Sequence, residues 1–180
     1  MRTPPLPANE AERLRALRDT GLLDSLAEER FDRVTRTAQK LFSVPIALFS
    51  LIDEDRQWFK SCQGLQARQT PRSVSFCGHA ILEEGVFCVE DAADDVRFAD
   101  NPLVVDEPRI RFYAGCPVHS PSGRPIGTLC IIDREPRRFS VADRRALTDL
   151  AQMLEAEVHR AAASVVPIDS AARNRGGDTG

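Results

Sequence analysis

Two stretches of the chain, residues 45–62 and 111–133, each hold a pair of short β-rich runs joined by a tight polar turn. Pro45–Ile52 (PIALFSLI) is apolar on both faces and reads as a central strand. Asp53-Glu54-Asp55 turns the chain, and the alternating Arg56–Cys62 (RQWFKSC) is the hairpin partner. Arg111–Ser120 and Pro125–Asp133, with Pro121-Ser122-Gly123-Arg124 between them, repeat the arrangement. A further short strand is expected at Val86–Glu90. Hairpin-linked strands exclude a regular βαβ alternation, and with it a Rossmann-like parallel sheet.

Helical periodicity frames these hairpins. Asn9 with Glu12 resembles a capping box, Leu14 and Leu17 share a face, and Gly21 stops the first helix. Ser25 with Glu28 is expected to open a second helix, whose buried stripe is Phe31, Val34, Ala38, Leu41 and Phe42. Ser75 caps a short helix reaching Leu82, and Ser140 caps a long last one. In that last helix Leu147, Leu150, Leu154, Val158, Ala161 and Val165 form a seam of threes and fours, which predicts a partner helix from a second copy. The predicted fold is α+β: an antiparallel sheet with the end helices on one face. Residues 1–8 are expected as a flexible lead, 9–163 as one domain, and 164–180 as a disordered polar tail.

Composition narrows the function. Lys+Arg 24 against Asp+Glu 27 gives a net charge of −3, without the basic excess of a nucleic-acid or anionic-membrane binder. The longest apolar run, near Val44–Ile52, is far short of about 20 residues, so no membrane span is expected. No apolar segment follows Met1-Arg2-Thr3-Pro4-Pro5, which predicts no export signal and a cytoplasmic setting. Five cysteines, an odd number mostly in strand-like sequence, then read as reduced thiols.

No glycine-rich phosphate loop, HExxH, GxSxG or paired CxxC is present, so the chain is not expected to be an enzyme. Three segments remain as candidates. Ser75–Ala80 (SFCGHA) places Cys77 and His79 at the head of a short helix, where a thiol can be activated; the competing role is a small core residue beside a structural imidazole. Cys-x-His is not a standard zinc spacing, and no metal is expected. Glu90–Pro102 gathers Asp91, Asp94, Asp95, Arg97 and Asp100 in a long loop. It is either a lid whose Arg97 meets an anionic ligand, or a solvated acidic loop in which Arg97 pairs with Asp94 or Asp100. Tyr113-Ala114-Gly115-Cys116 sets small residues in a strand, where a ligand or another element can approach closely.

Taken in order, seven segments resemble the GAF domain family, across about residues 10–160. They are LRALRDTGLLD (14–24), ERFDRVTRTAQKL (29–41), VPIALFSLIDEDRQWFK (44–60), SFCGHAIL (75–82), DAADDVRFADNPL (91–103), IRFYAGCP (110–117) and IGTLCIID (126–133). They are most similar to the bacterial subfamily found ahead of diguanylate cyclase or histidine kinase modules. The resemblance implies a roughly six-stranded antiparallel sheet, with terminal helices on one face and a small-molecule cavity on the other. By position that cavity would be lined by Trp58, Phe76, Cys77, His79, Asp91, Arg97, Phe98, Tyr113, Ala114 and Cys116.

The implied role is a regulatory sensor. It would bind an unidentified small molecule, or register redox state, and signal through its end helices to a partner protein or a missing output module. A homodimer through those helices is also implied. The alternative is a thiol-dependent reductase of free methionine sulfoxide, for which Cys77-Gly78 resembles the glycine-flanked cysteine and Cys88 and Cys116 are loose substitutes for its other cysteines. Covalent bilin attachment is disfavoured, because Cys77-Gly78-His79 lacks the adjacent Cys-His pair of phytochrome-like domains.

Overall fold

Both expected hairpins form in the computed structural model, which describes residues 1–165. The elements run α1 (Glu10–Asp19), α2 (Glu29–Phe42), β1 (Ile46–Ile52), β2 (Arg56–Gln63), β3 (Gln69–Pro71), α3 (Phe76–Ala80), β4 (Phe87–Val89), α4 (Pro102–Val105), β5 (Phe112–His119), β6 (Pro125–Asp133) and α5 (Val141–Val165). One six-stranded sheet has the order β3-β2-β1-β6-β5-β4, with every neighbour antiparallel. β1 and β6, each from a different hairpin, pair at its centre, which explains why both read apolar on two faces.

One face is covered by α1, α2 and α5. Leu17, Phe31, Val34 and Ala38 interleave with Phe49, Leu51, Leu129 and Ile131 from the sheet and Leu147, Leu154 and Val158 from α5. The seam expected to seek a second copy is therefore used within its own subunit. Leu147, Leu150, Leu154, Val158 and Ala161 are all buried there, so they supply no reason for a dimer. Arg33 and Arg160 both reach the buried Glu157, tying α2 to α5. Leu41, expected on the buried stripe, is exposed at the C-terminal end of α2.

A bulge in β2 serves this layer. The register shifts so that Phe49 faces Ser61 while Ser50 faces Phe59, leaving Lys60 as the extra residue. Lys60 and Ser61 consequently both turn to the helix side. Lys60 Nζ donates to Ser25 Oγ at 2.5 Å and to Leu26 O at 2.6 Å, pairs with Glu28 at 2.7 Å, and lies over the Phe31 ring. Ser61 bonds Thr35 and donates to Asp32. Glu28 is the cap residue of α2 and makes no side-chain cap; its carboxylate goes to Arg30 and Lys60, and Ser25 to Lys60, so the expected capping pair does other work.

The other face has an irregular cover of α3, α4 and connecting loops. Ser75 caps α3 as expected, accepting from Gly78 N at 2.9 Å. β3 and α4 are short elements in addition to those the sequence predicts. The first is a three-residue edge strand of polar sequence; the second is a single turn started by Asn101, whose side chain accepts from Leu103 N, with Pro102 in its first turn. The first eight residues, expected as a loose lead, lie along this cover. Pro4 is buried against Gly78, where a Cβ would stand 2.8 Å from its ring, and Arg2 N donates to Arg97 O. Ser164 and Val165 belong to α5; the rest of the expected tail lies outside the described residues. No helix among the described residues is long and apolar enough to cross a membrane.

Candidate functional site

Strand parity decides which side chains reach the irregular face. On β1 these are Ile46, Leu48, Ser50 and Ile52; on β2, Gln57 and Phe59; on β5, Tyr113; on β6, Cys130 and Ile132. Between them and their cover lies a cavity of about 530 Å³. Leu48, Gln57, Phe59, Tyr113 and Ile132 line it from the sheet, Phe76 and Cys77 from α3, and Leu65 to Ala67 from the loop after β2. Leu103, Pro108 and Ile110 close another side, and Glu107 and Arg134 supply charge. Most of this wall is apolar. Its polar points include Gln57, which accepts from Ser75 and reaches Thr70, and, beside Glu107, Arg134, whose Nε donates to Pro108 O at 3.0 Å.

Beside the cavity, five polar side chains are buried together. Cys77 Sγ accepts from Tyr113 Oη at 3.1 Å, lies 3.2 Å from Ser50 Oγ, and stands 3.7 Å from Cys130 Sγ. The fifth, Thr128, faces the same group but its buried hydroxyl meets no hydrogen-bond geometry. Burial opposes a Cys77 thiolate, but the hydrogen-bonding groups around it, Cys130 first and then Ser50 and Tyr113, outweigh that and bring the thiol down to about 7. Burial pushes the Cys130 thiol and the Tyr113 hydroxyl well above their usual ranges. Gly115 makes room for this arrangement: a Cβ there would stand 2.2 Å from Tyr113 Oη.

Of the ten residues expected around the cavity, Phe76, Cys77 and Tyr113 line it. Phe98, His79 and Arg97 form an aromatic group beside Phe76. The Phe98 ring stacks on Phe76 at 4.0 Å, His79 meets Phe98 edge-on at 5.0 Å, and Arg97 lies over the Phe87 and Phe98 rings. Arg97 is held by a two-pronged pair with Asp95, at 2.9 and 2.6 Å, rather than by Asp94 or Asp100. That hydrogen-bonded pair keeps the Asp95 carboxyl below its usual range. His79 Nε2 contacts Arg2 O, and burial lowers its pKa. Asp91 turns its own loop, accepting from Ala93 N at 3.0 Å.

Trp58, Ala114 and Cys116 lie on the opposite face, in the helix-packed core. Adjacent strand residues point to opposite sides, so Tyr113 and Ala114 cannot share a cavity, and on β2 it is Phe59 rather than Trp58 that faces it. Cys116 and the half-buried Cys88 also belong to the helix side, which removes both from the neighbourhood of Cys77. Leu48, Gln57, Phe59 and Ile132 were not expected at the cavity. Their signal was parity with Tyr113, since Tyr113 pairs with Ile132 and Leu48 with Cys130 across the ladder. Among the described residues no group of three or more His, Cys, Asp or Glu is placed to hold a metal ion.

The GAF domain family profile matches residues 27–158. A cyclic di-GMP phosphodiesterase of Pseudomonas aeruginosa is 48% identical over 160 residues; these are 88% of this chain but 27% of that protein, so the chain spans about a quarter of its relative's length. Among solved structures, the GAF domain of an Acinetobacter phosphoenolpyruvate-protein phosphotransferase superposes with a TM-score of 0.61 at 20% identity, covering 85% of this chain and 96% of that one. The free methionine-R-sulfoxide reductase of Neisseria meningitidis, solved with its substrate, gives 0.61 at 21% identity, covering 92% and 100%. Sheet order, the two-faced cover and the matched span agree: the chain belongs to the GAF domain family.

Proposed function

We propose that this domain is a regulatory sensor whose cavity takes a small molecule and whose end helices pass the bound state to a partner protein or an output module. The observation that carries this reading is the cavity itself. It has roughly the volume of a small-ligand site, an apolar wall, and a few polar groups at Gln57, Thr70, Glu107 and Arg134. Those groups suit a molecule with a flat apolar body and a polar edge. Residues lining the cavity stand back to back with residues under the helices, Leu48 beside Phe49 and Tyr113 beside Phe112, so a ligand that shifts β1 or β5 presses on α2 and α5. The relationship to a cyclic di-GMP phosphodiesterase gives the sensor a natural task in a cytoplasmic setting, the control of cyclic di-GMP hydrolysis.

Native mass spectrometry of the purified protein tests the binding step. Wild type should carry an added mass that is lost on unfolding, and Ile132→Trp, which fills the cavity and leaves the helix face untouched, should lack it while keeping the same melting behaviour. Identical bare masses for both, with no displacement of an apolar fluorescent dye, would overturn the reading. The reductase alternative is left with Cys77 alone among the cysteines first considered for it, because Cys88 and Cys116 belong to the other face. Turnover of free methionine sulfoxide that disappears in Cys77→Ser would restore it.

A further inference from the structure

We propose that Cys77 and Cys130 form a peroxide-oxidised dithiol, with Cys77 as the residue attacked from the cavity and Cys130 as the residue that resolves it into a disulfide. The two sulfurs are 3.7 Å apart, so bonding requires an approach of less than 2 Å to reach the usual S–S length of about 2.05 Å. They sit on different elements, the short helix α3 and the central strand β6, and only Cys77 lines the cavity. Cys130 is wholly buried behind it, next to Ser50 and Thr128. A small oxidant entering the cavity thus meets one thiol and not the other.

The surroundings favour that order of attack. Thiolate is the reacting form, and Cys77 is the thiol brought down, to about 7, by the hydrogen-bonding groups around it, with Tyr113 Oη and Ser50 Oγ in direct contact. Cys62, Cys88 and Cys116 have their thiols pushed up by burial. In the first step the Cys77 thiolate attacks the terminal oxygen of a hydroperoxide. An S–O bond forms as the O–O bond breaks, the peroxide is reduced, and the departing alkoxide or hydroxide takes up a proton. In the second step Cys130 attacks the Cys77 sulfur. The S–S bond forms, the S–OH bond breaks, and the Cys130 proton leaves with the hydroxyl as water. Two thiols and one hydroperoxide become a disulfide, an alcohol or water, and one water.

The consequence reaches the cavity directly. Drawing Cys77 toward β6 moves α3, whose Phe76 lines the cavity and stacks on Phe98 at 4.0 Å. This inference builds on the sensory reading of the same cavity, but its test counts thiols rather than bound ligand, so either can fail without the other.

The full chain is treated with hydrogen peroxide, and separately with a small alkyl hydroperoxide, then unfolded and alkylated. Wild type should lose two of its five free thiols, lose the mass of two hydrogens, and give a Cys77–Cys130 cross-linked peptide that a dithiol reductant reverses. Cys130→Ala should stop at a Cys77 sulfenic acid trapped by dimedone, and Cys77→Ala should leave Cys130 reduced. The mapping on wild type needs no variant to fold. A cross-link through other cysteines, or oxygen additions at Cys77 without a disulfide in wild type, overturns the proposal, as does full retention of both thiols at peroxide levels that oxidise an exposed thiol peptide.

Discussion

The two faces of one sheet are built on different terms. Under the helices, side chains from α1, α2 and α5 mesh with Phe49, Leu51 and Leu129, and Lys60, Ser61 and Thr35, which enter this layer, each find partners. On the opposite face the cover consists of a five-residue helix, a four-residue helix and loops. It leaves a cavity of about 530 Å³ and gathers two thiols and three hydroxyls at its edge, one of those hydroxyls, Thr128's, without a partner. A helix presents a continuous stripe every 3.6 residues and can fill a layer without gaps. Short turns cannot, and the space they leave is where chemistry and ligands fit.

The comparison breaks most sharply at neighbouring positions of β1. Leu51 and Leu48 are both buried and face opposite ways. Leu51→Ala should cost about 4 kcal/mol, because its neighbours cannot collapse into the hole. Leu48→Ala should cost about 2 kcal/mol, since its wall already borders open space. Urea unfolding of the two variants measures both, and equal losses would mean that the irregular face is as solidly packed as the helical one.

Lys60 asks whether paired polar groups in the helix layer contribute as its apolar contacts do. Lys60→Met keeps most of the volume, strands Leu26 O and removes one bond each from Ser25 and Glu28. A loss of about 2 kcal/mol is expected, read as a lower midpoint in the same urea series. A neutral or stabilised variant would show that the lysine is dispensable to packing.

A smaller, pH-dependent effect comes from the clamp between the two covers. Glu10 on α1 accepts from Arg13 and from Arg72, which leads into α3. Burial opposes its charge, but these guanidinium bonds outweigh that and hold the carboxyl at about 2, below its ordinary 4.5. A depressed carboxyl stabilises the fold fully above its ordinary value and loses that contribution as pH falls through the folded one. Glu10→Gln should therefore cost about 1–2 kcal/mol at neutral pH, after allowing for solvent at this site. The gap to wild type should close between pH 4.5 and 2. A gap that is constant across acid titration would assign the loss to packing instead.

The two hairpins and the helix face were readable from the chain because periods of 2 and 3.6 are carried by the residues themselves; which of their strands pair at the centre of the sheet was not. The cavity was readable only in part. Alternation reveals that two faces exist and is silent on which is which where both are apolar, as at Trp58-Phe59 on β2 and Tyr113-Ala114 on β5. Arg97 was legible as a partnered cation but its partner was not, since Asp94, Asp95 and Asp100 all lie within a turn's reach and the backbone path decides. The bulge at Lys60 left no mark beyond a lysine in an apolar run. Cys77 beside Cys130 required the third dimension, because 53 positions separate them.

Tyr113 and Gly115 carry a lesson about sequence change itself. The tyrosine ring and hydroxyl occupy the volume that any side chain at 115 would claim, with contacts of 2.2 and 2.8 Å to a hypothetical methyl. The two positions hold one allotment of space between them, so 115 cannot gain a side chain while the tyrosine stays. A smaller residue must arrive at 113 before a methyl is admissible at 115, and that first change already removes the hydroxyl that Cys77 accepts from. In descendants of this chain, order of substitution becomes history: a glycine at 115 preserves the option of a tyrosine over the thiol, and an alanine there forecloses it.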